Sequence, residues 1–91
     1  MKLLLSNISR RFLDTLPPKQ FRQVVTTVFR LLTEPYPHDS KQLKGYSYYR
    51  VDIGEYRIVY DVDVDDDDLR IVLIGKRNDD EVYRQLKRIP L

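Results

Sequence analysis

From residue 47 to residue 62, polar and apolar side chains alternate around a single Gly54-Glu55 pair. A chain written this way has few choices beyond an antiparallel hairpin with those two residues at its turn. Ile53 then pairs with Tyr56, Asp52 with Arg57 and Arg50 with Val59. Successive side chains on a strand point to opposite faces. One face therefore carries Tyr49, Val51, Ile53, Tyr56, Ile58, Tyr60 and Val62. The other carries Tyr46, Tyr48, Arg50, Asp52, Arg57, Val59 and Asp61. Slipping the register by one residue would push arginines into the core, so the pairing is well specified. The first face is expected to meet a helix. The second is polar, aromatic and cationic, and is expected to be open.

The helix for that first face lies upstream. Phe21, Val24, Val25, Val28, Leu31 and Leu32 recur at the spacing of a helical stripe, with Lys19, Arg22, Gln23 and Arg30 off it. Pro18 suits the first position of this helix, where a missing N–H is harmless. Glu34-Pro35-Tyr36-Pro37 stops it. A shorter helix precedes it, with Ile8, Phe12 and Leu16 at helical spacing and Ser6, Asn7 and Ser9 as candidate caps. Residues 2–6 form a short apolar strand. Residues 35–45 read as a loop carrying His38, Lys41 and Lys44. Residues 69–76 are a nearly unbroken apolar run and form the last strand. Asp79-Asp80 open a final helix through Leu86 and Lys87, acids being favourable at a helix N-terminus. The expected architecture is α+β, in the order βααβββα: a small, antiparallel-rich four-stranded sheet, a helical hairpin packed on one face and a short C-terminal helix. At 91 residues this is one domain, spanning 1–91, with a modest core.

The formal net charge of +2 conceals a strong asymmetry. Six of the 14 acidic residues fall within positions 61–68, and the remainder of the chain holds 16 basic and 8 acidic residues. A basic surface points to a polyanion, nucleic acid above all; a solvated surface that merely keeps the protein soluble is the plainer reading. The absence of cysteine excludes a disulfide framework and a thiolate metal site. Asp61, Asp63 and Asp65 imitate the start of a calcium loop, but the required glycine and closing glutamate are missing, the twelfth position being Val72. No metal and no cofactor are expected. The apolar start Leu3-Leu4-Leu5 is too short for a signal sequence or a membrane span, so a soluble cytoplasmic protein without membrane contact is expected.

Arg50, Arg57 and Arg77 fall at regular places in the strand pattern, and Tyr83 follows shortly after. Guanidiniums fixed on one sheet face suit a phosphodiester, because they can meet its oxygens with paired N–H donors. The bland alternative is a solvated sheet face on which Asp52 and Arg57 form an ordinary cross-strand ion pair. Tyr48 could stack on a base, or serve simply as a good strand residue. Lys41, Lys44 and Lys76 would add attraction to a nucleic-acid backbone. His38 stands alone after Pro37 and reads as a loop residue.

The block LKGYSYYRVDIGEYRIVYDV, followed by a strand and then GKRNDDEVY, resembles the RelE/ParE superfamily of toxins from toxin–antitoxin pairs. The resemblance covers most of the chain, and the GKR…VY ending points to the RelE branch. RelE-like toxins enter the ribosomal A site and cut mRNA there. Toxins of the ParE branch instead inhibit DNA gyrase and lack the nuclease residues. The resemblance implies an mRNA endonuclease that inhibits translation without a metal. It also implies a cognate antitoxin, in a possible hetero-oligomer, and the ribosome with its mRNA as partners. By motif position Arg50, Arg57, Arg77 and Tyr83 become the catalytic set; Lys41, Lys44, Tyr48 and Lys76 are then the residues expected to meet the RNA. One position departs: where such toxins often carry a second strand cation, this chain has Asp52. That leaves the general base open and admits a weakened toxin that acts by binding.

Overall fold

The computed structural model describes residues 1–77 and 81–88. Its elements are β1 (Lys2–Leu5), α1 (Asn7–Asp14), α2 (Pro18–Thr33), β2 (Lys41–Gln42), β3 (Tyr49–Ile53), β4 (Tyr56–Asp63), β5 (Asp68–Lys76) and α3 (Glu81–Arg88). The sheet has five strands in the order β1-β5-β4-β3-β2. β1 runs parallel to β5 and every other neighbouring pair is antiparallel. The strand beyond the expected four is β2, two polar residues on an edge. Nothing so short can show a period in sequence.

The central hairpin has the register set by its alternation, with Ile53 opposite Tyr56, Asp52 opposite Arg57 and Arg50 opposite Val59. Gly54 makes the turn at φ 57°, a left-handed conformation that costs a glycine little. The first face meets the helices as expected: Val51, Tyr56, Ile58 and Tyr60 join Leu13, Val24, Val28 and Leu31 in one buried cluster. The helical stripe is only partly core. Phe21 stays 40% exposed, while Thr27 is buried in its helix and donates its hydroxyl to the Gln23 carbonyl at 3.1 Å. A buried hydroxyl satisfied within its own helix carries no apolar signal, so the sequence pattern passes over it.

The second face is not open along its whole length. Val82 and Leu86 of α3 bury Val59 and Leu73 in a second cluster, edged by Tyr46, Tyr48, Val72 and Tyr83. The reason lies in β5, whose Leu69, Ile71, Leu73 and Ile74 are all buried. A strand apolar on both faces needs cover on both. A register shift between Val59 and Tyr60 moves the pairing from Leu73 to Ile71. The carbonyl of the extra residue, Val72, accepts a hydrogen bond from the Ser6 hydroxyl at 2.8 Å. The same hydroxyl oxygen caps α1, accepting from the Ser9 N–H at 3.1 Å.

The acidic segment forms the turn between β4 and β5, at the end of β4 remote from Arg57. There Arg70 meets Asp63 at 2.9 Å and Asp61 at 3.9 Å. Asp79-Asp80, expected to open the last helix, lie outside the described residues.

Candidate functional site

Arg57 stands near the start of β4 on the second face, directly across from Asp52 of β3. Its Nε donates to Asp52 Oδ1 at 2.8 Å and its Nη2 to Asp52 Oδ2 at 3.2 Å. Its Nη1 donates to the Tyr83 hydroxyl, and its guanidinium carbon lies 5.6 Å from the Tyr83 ring centroid. Arg50, two residues before Asp52 and so on the same face, donates from Nη1 to Asp52 Oδ2 at 3.3 Å. The Arg57 side chain is only 13% exposed. A guanidinium is therefore fixed by a carboxylate on one edge and a phenol on another.

Arg77 follows β5, and its backbone N–H donates to the Glu55 carbonyl at 2.9 Å. That bond ties the end of β5 to the hairpin turn and holds the exposed Arg77 side chain near the cluster. The electrostatics agree. The hydrogen bond from Arg57 is the chief reason the Asp52 carboxyl is held below the usual carboxylate range, with the charges of Arg57, Arg50 and Arg77 adding to it. Burial opposes this shift. The Arg57 guanidinium is pushed up in turn, first by the hydrogen bond to Asp52, with Tyr83 contributing.

Because the Asp52 carboxyl is more acidic in the fold than in the open chain, it stabilises the protein above the unfolded value. That contribution is lost as pH falls through the folded value. Wild type should thus lose stability relative to Asp52→Asn below about pH 4, where unfolded aspartate takes up its proton. Denaturant unfolding at pH 7 and pH 3 measures the gap between the two proteins, and a gap independent of pH refutes the linkage.

The remaining candidates separate. Lys41 of β2 is the register partner of Arg50 and extends the cationic face. Lys44 is exposed in the turn after β2. Tyr48 lies toward the other end of the sheet. It stacks on Tyr46 with centroids 5.9 Å apart, and lines an apolar cleft of about 650 Å³ with Leu4, Ile8, Arg11 and Arg70. Lys76 pairs with Tyr56, so strand alternation puts it on the face covered by α1 and α2, opposite to Arg57. His38 is exposed in its loop.

Sequence reasoning missed Gly75. It is the register partner of Arg57, and a Cβ added there would lie 2.5 Å from Val82 Cγ2. Val82 precedes Tyr83 on α3, so the close approach of helix to strand at Gly75 sets where the phenol stands. The signal was a lone glycine near the end of an apolar strand, which commonly marks a place where another segment comes close. Among the described residues, no group of His, Cys, Asp and Glu is arranged to hold a metal ion.

Chemically, the arrangement presents clustered guanidiniums and a phenol on one accessible face. Such a set can bind an oxyanion, stabilise charge growing on it and hand a proton to or from a neighbouring oxygen.

The family described as ParE toxin of type II toxin–antitoxin system, parDE, matches residues 4–81. No curated protein matches the chain in sequence. Among solved structures, the toxin–antitoxin complex RelBE2 from Mycobacterium tuberculosis contains a chain 26% identical, with a TM-score of 0.74, covering 84% of this chain and 96% of that one. The archaeal RelE–RelB complex from Pyrococcus horikoshii gives 26% identity and a TM-score of 0.74, over 84% and 93%. A double-arginine variant of Escherichia coli RelE in the free state shares the fold at 22% identity and a TM-score of 0.78, over 98% and 97%.

Proposed function

The chain belongs to the ParE toxin family of type II toxin–antitoxin systems, and because its site carries the arginines and tyrosine expected of the RelE branch we propose that it is a ribosome-dependent endonuclease that cuts mRNA in the A site. The observation that carries this reading is Arg57, gripped between Asp52 and the Tyr83 hydroxyl on a face shared with Arg50. RNA supplies its own nucleophile. When a 2′-OH attacks the adjacent phosphorus, the bond to the 5′-oxygen breaks and negative charge gathers on the phosphoryl oxygens. Arg57 and Arg77 stabilise that charge, and fixed donors aimed at developing charge are the strongest single aid to such a step. Arg50 and Lys41 hold the backbone, with Lys44 adding attraction that weakens with salt. Tyr83 is the proton donor or acceptor nearest the guanidinium.

The antitoxin is a small protein that covers this toxin, in keeping with the RelB complexes among its structural neighbours. Ribosome and mRNA are its targets, and the cytoplasm is where they meet. No helix among the described residues is long and apolar enough to cross a membrane.

The test is primer extension on a defined mRNA in a purified translation system. Ribosome-dependent breaks within A-site codons are expected from wild type, and their loss from Arg77→Ala and Tyr83→Ala. Both variants should cease to inhibit growth; if either inhibits as strongly as wild type, the nuclease assignment fails. A second reading, a gyrase inhibitor acting by binding alone, is favoured by the ParE description of the matching family. It predicts intact mRNA and impaired supercoiling at doses that stop growth.

A further inference from the structure

The anion seat of this molecule already has an occupant. Asp52 presents both oxygens to the Nε–Nη2 edge of Arg57, at 2.8 and 3.2 Å, and one of them to Arg50 at 3.3 Å. A phosphodiester offers the same thing to a guanidinium: two oxygens sharing a negative charge, placed to accept two parallel hydrogen bonds. We propose that the Asp52 carboxylate is a built-in competitor for substrate phosphate, filling the Arg57–Arg50 fork until a phosphodiester displaces it.

Three observations support displacement over a purely structural pair. First, the donors of Arg57 are heavily committed: Nε and Nη2 to Asp52 and Nη1 to Tyr83. A phosphate can gain a bidentate grip on the Nε–Nη2 edge only if Asp52 releases it. Second, Asp52 keeps 26% of its side chain exposed, so the carboxylate has solvent to swing into. Third, it sits between β-strand neighbours whose register is held by backbone pairing on both sides, Arg50 to Val59 and Ile53 to Tyr56. The strand does not need the ion pair to stay in place. A phosphate and Asp52 cannot share the fork, since two like charges at that separation repel. Local charge therefore acts as a threshold: an isolated phosphate competes poorly, whereas a strand whose neighbouring phosphates also reach Lys41 or Arg77 brings enough attraction to evict the carboxylate.

This inference rests on the reading of Arg57 as a phosphate ligand, and its test is kept apart from cleavage. The probes are inorganic phosphate and an all-deoxy tetranucleotide, which lacks the 2′-OH and cannot be cut. Asp52→Asn and Asp52→Ser should each bind both probes about tenfold more tightly than wild type, the scale of one charge-assisted hydrogen bond no longer broken on binding. Unchanged or weaker binding in either variant whose circular-dichroism spectrum shows it folded at the assay temperature overturns the proposal. Wild type alone supplies a second readout. At saturation with the tetranucleotide, the Arg57 Nε–H resonance should lose its coupling to the Asp52 carboxylate, and a coupling that persists at saturation overturns the proposal even if both variants fail to fold. Tighter binding by the variants together with intact mRNA in the translation assay rejects the nuclease reading and upholds the role of Asp52.

Discussion

Arg57→Ala should lower mRNA cleavage by about 100- to 1000-fold, the usual result of removing a fixed donor from a site of developing charge. The expectation follows from where this side chain stands. It is the one described side chain that touches both the carboxylate of Asp52 and the phenol of Tyr83. Its loss removes the positive charge and also frees Tyr83 to rotate away from the position it holds against the guanidinium. Asp52 keeps Arg50 as a partner, at 3.3 Å, so the β3–β4 hairpin has no orphaned charge to force it apart. Loss of activity should therefore come with a near-normal melting temperature. Arg57→Lys separates charge from geometry: an ammonium keeps the charge but cannot form the paired grip, so it should recover only a small part of the rate. Growth arrest on expression of Arg57→Ala at wild-type levels, with A-site breaks still present, would remove Arg57 from the mechanism.

Gly75→Ala should cost about 10- to 100-fold in cleavage while leaving most of the fold intact, because misplacing a catalytic group by about an ångström commonly costs that much. The added methyl would stand 2.5 Å from Val82 Cγ2, and something must move. Valine is β-branched and confined to essentially one rotamer in a helix, so the side chain cannot turn aside. The helix α3 must lift instead, and Tyr83, next along it, leaves Arg57. The larger core survives, since the cluster containing Val24, Leu31, Ile58 and Tyr60 lies on the other face of the sheet and uses nothing from α3. Val82→Ala in the Gly75→Ala background removes the obstructing methyl and should restore part of the rate. Wild-type cleavage by Gly75→Ala would show that the position of α3 does not govern the site.

The hairpin was legible because one of its faces is strictly apolar and the other is not, which leaves a single workable register. The Asp52–Arg57 pairing came with that register. β5 was legible as a strand but not in its pairing: a run apolar at nearly every position looks the same after a shift of one, and the irregularity at Val59 and Tyr60 leaves no mark. The same uniformity hid the cover over its second face. α3 buries Val82 and Leu86 in that cover and edges it with Tyr83, within a helix that is otherwise polar, and two aliphatic residues do not make a readable stripe. Tyr83 was placed near the arginines by its position after the last strand and by resemblance; its bond to Arg57 depends on how α3 docks, which Gly75 decides. Lys76 shows the converse limit. It is near Arg77 in sequence, yet one step along a strand reverses the face, and proximity in the chain said nothing of the side it occupies.

Arg57 and Asp63 mark the two ends of β4, six residues and roughly 20 Å apart at the rise of a strand. Arg50, Arg57 and Arg77 gather at one end of this strand and the run of aspartates at the other, so charge is polarised along it. In the field of a polyanion such a body experiences a torque before it experiences contact. It leads with the arginine-bearing Gly54 turn and trails the Asp-rich turn, so a larger share of collisions with a polyanion would begin with the arginines facing it than random tumbling would allow.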